Sequence, residues 1–279
     1  MLRDSSGTRK PLCAPARQSN AFHVIFWMVR VLSSVGTSVW FTPRMSGVRI
    51  PQSPKASCAH EAFFVQITLI SHARTMKSMT LFYEVKNGLY VNLTNRCNCC
   101  CFFCIRKAAD CVYGQTKSLW LEHEPTFAEL QAAVDRIDFT KYEEIVFCGY
   151  REPTCALENL LRLADFIKAR AHVPIRLNTN GLGSLFNKRN IARLLKDRVD
   201  VVSISLNAPV KEKYNEIVKP SDEEHSFDQM LQFDSECART FDKVILTTIS
   251  GTISKGEEAE CKKICEELGV FYRIREYAR

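Results

Sequence analysis

Five cysteines fall within eight residues, in the run CNCCCFFC from Cys97 to Cys104. Among them Cys97, Cys101 and Cys104 have the spacing C-x3-C-x2-C. Thiolates are the usual ligands of iron–sulfur clusters, and a cubane cluster ligated wholly by protein needs four of them. Three on one loop hold three irons and leave the fourth open to another ligand. The same run also reads as two C-x2-C pairs, Cys97/Cys100 and Cys101/Cys104, which is zinc spacing. Zinc sites of that kind place a long spacer between the pairs so that four sulfurs can form a tetrahedron, and here there is none. A ferredoxin-type C-x2-C-x2-C run would need a cysteine where Phe103 stands. Cys99 and Cys100 read as non-ligating neighbours and stay open as alternative ligands.

The run LTNRCNCCCFFCIR resembles the cluster loop of radical S-adenosylmethionine (radical SAM) enzymes. FCGYREPT, RLNTNGLG and VVSISLNAP follow in that family's order, so the resemblance covers residues 79–279. These runs look most like one branch, the radical SAM proteins associated with TatD-type nucleases. The resemblance implies a [4Fe–4S] cluster on Cys97, Cys101 and Cys104 with S-adenosylmethionine on the open iron. It implies reductive cleavage to a 5′-deoxyadenosyl radical that abstracts hydrogen from a substrate it does not identify. Phe103 is expected near the adenine and Glu152 near the α-amino group of the cofactor. Asn178 and Asn180, with Ser205 and Asn207, are expected around its carboxylate and ribose. An electron donor such as flavodoxin or ferredoxin is implied, and a TatD-type nuclease by association only.

Plainer readings stand beside these. Glu152 before Pro153 is also a helix-entry carboxylate, and Asn and Ser are common turn residues. Arg151 stands where many relatives have glycine, so a positive φ there would be strained. The competing function is an iron–sulfur or zinc-binding accessory or sensor protein without turnover.

The elements that must position these residues alternate. Strands are expected at 81–85, 89–94, 144–148, 174–178, 199–206, 243–249 and 270–275. Asn87-Gly88 is a hairpin signal between the first two, and the first strand is expected at the sheet edge. Helices are expected at 126–137, 157–170, 187–198, 210–217, 226–240 and 255–268. Thr126 with Glu129 reads as a capping box, and Gly269 as a C-terminal cap. Alternation of this kind gives parallel strands with crossover helices. Six such units suit an α/β partial (β/α)6 TIM-like barrel, with the motifs at strand C-terminal ends where barrel sites lie. Such a barrel is open on one side, with residues 107–124 or the substrate itself as its cover, and the expected substrate is a protein or small metabolite.

Charge divides the chain. Ten of its 38 basic and two of its 31 acidic residues lie in the first 78, leaving 28 against 29 in the remainder. The overall charge of +7 therefore says nothing about residues 79–279, whose near-neutral balance argues against a nucleic-acid partner there. The first 78 residues hold half of the ten prolines and no sustained periodicity. They read as sequence preceding a true start at Met79 or Met76, with a disordered or membrane-associated extension as the competing reading. No membrane span is expected, the cysteine-rich run fits a reducing compartment, and the expected location is cytoplasmic.

Overall fold

Short apolar runs alternate with amphipathic helices, and the chain lays the strands side by side in sequence order. A computed structural model of the chain describes residues 77–107 and 118–277. The expected extension, up to residue 76, lies outside the described residues. One seven-stranded sheet runs β1 (Phe82–Val85), β2 (Gly88–Val91), β3 (Glu144–Phe147), β4 (Ile175–Thr179), β5 (Val201–Ser205), β6 (Val244–Ile249) and β7 (Phe271–Arg275). β1 pairs antiparallel with β2, and every other neighbour pair is parallel. β2 to β7 are the six parallel strands of the expected partial barrel.

The crossovers carry α1 (Phe127–Val134), α2 (Leu157–Lys168), α3 (Gly183–Asn187), α4 (Ala192–Leu195), α5 (Lys211–Val218), α6 (Ser226–Thr240) and α7 (Lys255–Leu268). α2 shows why they pack. Leu160, Leu163, Ala164 and Ile167 recur at helical spacing and are all fully buried. The sheet face opposite the helices' polar side supplies Ile145, Phe147, Ile175, Leu177, Val202 and Ile204, also fully buried. Thr126 and Glu129 cap each other's backbone at the start of α1, as do Ser254 and Glu257 at α7. Gly269 ends α7 with φ of 68°, a conformation glycine adopts without steric penalty.

Three expectations shift. The hairpin turn is Lys86-Asn87, with φ of 54° at Lys86, and Gly88 already lies in β2 opposite Val85. Of the helix expected over 187–198 only Ala192–Leu195 forms, while a short helix precedes it at Gly183–Asn187 and ends where Lys188 turns left-handed with φ of 52°. Asn187 then spends its amide on the carbonyls of Thr154 and Gly183. β2 ends at Val91 rather than residue 94, since Asn92 turns its amide to the carbonyls of Thr80 and Leu119. Among the described residues no helix is long and apolar enough to cross a membrane.

Candidate active site

The cysteine loop leaves the C-terminal end of β2 and is held on both sides. At its entry the Glu124 carboxylate accepts from Thr94 Oγ1 at 2.6 Å and from the Asn95 backbone at 2.8 Å. Asn95 in turn exchanges hydrogen bonds with the backbone of Leu121. Further along, Cys100 N–H donates to the carbonyls of Val218 and Lys219, and Phe102 N–H to that of Ile217. These are the carbonyls that a helix C-terminus leaves without partners, so the end of α5 and the loop satisfy each other. Cys99 also forms a bridge with Pro220, and Ser221 N–H donates to Asn98 O at 2.9 Å.

None of the five thiols is in a disulfide, and they differ in setting. Cys99 is 2% exposed, whereas Cys97, Cys101 and Cys104 are partly exposed. The Cys99 thiol donates towards Cys97 and Cys101, and this and burial push its own value well up. Cys97 is held down to about 7, mainly by hydrogen bonding from Cys99. A thiol so lowered is readily available as thiolate, the form that binds metal. Burial pushes Cys104 up. Among the described residues no three His, Cys, Asp or Glu side chains form a ready cage for a single metal ion. Three soft thiols in C-x3-C-x2-C spacing on one anchored loop fit a larger iron–sulfur group.

Glu152 sits 4% exposed at the C-terminal end of β3, at the start of the 3-10 turn Pro153–Ala156. Its Oε1 accepts from Thr154 N–H, Thr154 Oγ1 and Thr179 Oγ1, and its Oε2 from Asn180 N–H. Burial raises its carboxyl, against the pull of those four donors. Its backbone N–H donates to Arg96 O at 3.1 Å. Glu152 therefore joins the cysteine loop, β3 and β4. Arg151 has no positive φ, so the anticipated strain does not arise. Its guanidinium lies 4.7 Å from the centre of the Trp120 ring, a cation–π distance. The lid expected over 107–124 falls partly outside the described residues. Of the rest, Leu119 and Leu121 are buried in the core, and Trp120 stands edge-on to Tyr150.

The strand-end amides divide by role. Asn180 Nδ2 donates to Asn98 Oδ1 at 2.7 Å and to Cys99 Sγ at 3.3 Å, and its Oδ1 accepts from Leu182 N–H. It is engaged within the protein. Asn178 accepts from Arg176 at 3.1 Å and donates to Cys148. Ser205 Oγ accepts from Arg275 at 3.3 Å. Asn207, just beyond β5, is 3% exposed with φ of 63°. Its Oδ1 is buried with no hydrogen-bond partner among the described residues. A buried acceptor left open is costly unless something donates to it. Phe103 is partly buried against the core and meets the Phe102 ring edge-on at 5.3 Å.

The family model of the Radical SAM superfamily matches residues 91–267, more than half of the chain. The chain belongs to the radical SAM superfamily. SuiB of Streptococcus suis bound to precursor peptide SuiA is similar to this radical SAM chain at 13% identity and TM-score 0.53, over 93% of this chain and 52% of that one. SuiB bound to S-adenosylmethionine gives 12% identity and 0.51, over 94% and 53%. A radical SAM methyltransferase from Sphaerobacter thermophilus gives 16% and 0.52, over 69% and 57%. The radical SAM chain thus spans just over half the length of these structures, and at such identities they share its fold. No curated protein matches it.

Sequence reasoning missed residues that hold this radical SAM site together. Thr179, Asn98 and Glu124 complete the network around Glu152 and the loop, but none stands in a recognisable spacing. Arg176, Arg273 and Arg275 share one sheet face, and the alternation of β4 and β7 could have shown each strand's contribution.

Proposed function

We propose that the chain is a radical SAM enzyme that binds a [4Fe–4S] cluster on Cys97, Cys101 and Cys104 and cleaves S-adenosylmethionine reductively. The observation that carries this is the anchored C-x3-C-x2-C loop at the end of the first parallel strand of a radical SAM fold. Held there by Cys97, Cys101 and Cys104, such a cluster would supply the electron for reductive cleavage of S-adenosylmethionine and so for hydrogen abstraction from a substrate.

The chain's own residues hold and shape that site. Cys97, Cys101 and Cys104 supply thiolates from a loop fixed by Glu124 and the end of α5. Cys99, buried and holding its proton, supports their ligation rather than joining it. Asn207 Oδ1 is aimed inward without a donor and suits a ribose hydroxyl. Ser205, the last residue of β5, lies two residues before it, and Phe103 supplies an aromatic face for adenine. Glu152 positions the loop and the end of β4, with one face of Oε2 left for the cofactor's ammonium. Asn178 and Asn180 act chiefly by holding Cys148, Asn98 and Cys99 in place. We assign the chain to the branch associated with TatD-type nucleases, on the runs FCGYREPT, RLNTNGLG and VVSISLNAP. A flavodoxin or ferredoxin would supply the electron in the cytoplasm.

The test is anaerobic reconstitution of the full chain followed by dithionite and S-adenosylmethionine. Brown protein with about four irons, releasing 5′-deoxyadenosine and methionine, is expected. Stoichiometric zinc, or a loaded cluster with no cleavage under any reductant, overturns the reading in favour of an accessory or sensor protein.

A further inference from the structure

The sheet face away from the helices carries a concentration of cationic groups that neither the cluster nor its loop uses. Register places them. Paired residues on parallel strands point to the same face. Arg176 pairs with Val146 and Val201, Asn178 with Ser203, Ser205 with Thr247, Thr247 with Arg273, and Ile249 with Arg275. Arg176, Arg273 and Arg275 therefore face the concave side together, with Asn178 and Ser205 between them. One carboxylate there, Glu144, meets Arg176 at 3.0 Å. Glu152 lies at the strand ends with its oxygens already accepting four hydrogen bonds.

The two arginines of β7 are left over. Arg273 is exposed and makes no side-chain hydrogen bond or ion pair among the described residues. Arg275 reaches Ser205 Oγ with one nitrogen, while its Nε is buried with no hydrogen-bond partner among the described residues. Partial burial and the nearby Arg176 and Arg275 guanidiniums push Arg273 below its ordinary value. The like charges of Arg273 and Arg275 beside Arg176 thus repel one another, and Glu144, paired with Arg176, offsets only part of that. Guanidinium forks match the two oxygens of a carboxylate or phosphate.

We propose that Arg273 and Arg275, backed by Arg176, bind an oxyanion group of the substrate, so that the substrate is an organic acid or phosphate ester. The inference rests on the radical SAM reading for what happens to that substrate, but not for the binding itself. Seated on β7, the anion would fix the substrate at that edge of the described sheet, with its remaining atoms directed along the concave face past Ser205 towards the cysteine loop.

The test uses reconstituted full chain saturated with S-adenosylmethionine, titrated calorimetrically at low salt with inorganic phosphate and, separately, with succinate. Binding of one probe is expected, with at least a tenfold loss in Arg273→Gln and in Arg275→Gln and retention of most affinity in Arg273→Lys. Arg273 is exposed and unpaired, so its replacement leaves the packed core intact, and circular dichroism checks this. Tighter phosphate binding identifies a phosphate ester, and tighter succinate binding an organic acid. Absence of binding by the parent chain, or binding unchanged in both glutamine variants, overturns the proposal. Competition between the probe and S-adenosylmethionine also overturns it, since the arginines would then serve the cofactor's own carboxylate. Iron content and substrate-free 5′-deoxyadenosine release of the parent chain report the radical SAM reading separately.

Discussion

The Glu152 carboxylate accepts the backbone N–H of Asn180 at 2.8 Å, tying the end of β3 to the end of β4. Asn180 in turn donates to Asn98 and Cys99 inside the cysteine loop. One carboxylate thus links the cysteine loop, through Asn180, to the ends of both strands. Glu152→Ala would strand the donors of Thr154, Thr179 and Asn180. At about 1–3 kcal/mol for each buried group left unsatisfied, less what water recovers, the loss should be about 3 kcal/mol. Urea unfolding of the cluster-free chain measures it. Unchanged stability with weaker S-adenosylmethionine binding would show that Glu152 serves the cofactor alone.

Cysteine replacements should separate into two groups. Cys97→Ala, Cys101→Ala and Cys104→Ala each remove a ligand, and reconstituted protein should lose most of its iron and its brown colour. Cys100→Ala should keep both. Cys99→Ala should also keep iron, but loses the acceptor for Asn180 and a buried side chain. It should cost about 1–2 kcal/mol in stability. Iron analysis alongside unfolding decides it, and loss of iron in Cys99→Ala with iron retained in Cys101→Ala would change the ligand set.

Asn207 combines a left-handed backbone with an open acceptor. Asn207→Gly should keep the fold, since glycine adopts φ near 63° without strain. It should nevertheless weaken S-adenosylmethionine binding by roughly tenfold, the worth of about one hydrogen bond. Asn207→Ala should lose both affinity and about 1 kcal/mol of stability. Equal affinity in the glycine variant and the parent would assign Asn207 to turn geometry alone.

Asp234 should make stability depend on pH. It is buried in α6 with neither oxygen hydrogen-bonded among the described residues, and burial raises its carboxyl well above 3.8. The folded chain therefore holds a proton that the unfolded chain releases near pH 4. The sign follows: its contribution is fully present below the unfolded value and is lost as pH rises towards the folded one. Asp234→Asn removes that dependence. Its stability relative to the parent should improve by about 1.4 kcal/mol per pH unit across that window. Parallel stability–pH curves for the two chains would refute a neutral buried Asp234.

The sequence by itself determined the cysteine spacing, the alternation of strands and helices, and the caps at Thr126 and Gly269. These are local properties: Thr126 with Glu129 and Gly269 act within one turn, and the apolar periods of α2 and β4 fix which side is buried. The short helix ending at Lys188 was not legible, because nothing in residues 183–198 marks the left-handed turn there. What only the tertiary structure decided is which polar residues are already engaged. Asn180 and Asn207 read alike as strand-end amides, yet one is satisfied by Asn98 and Cys99 across 82 residues and the other is left open. Likewise Arg176 and Arg275 are about a hundred residues apart in the chain, and only parallel register across β4 to β7 turns them to one face. Hydrogen bonds and charges add between groups close in space, so their balance appears only once the strands are side by side.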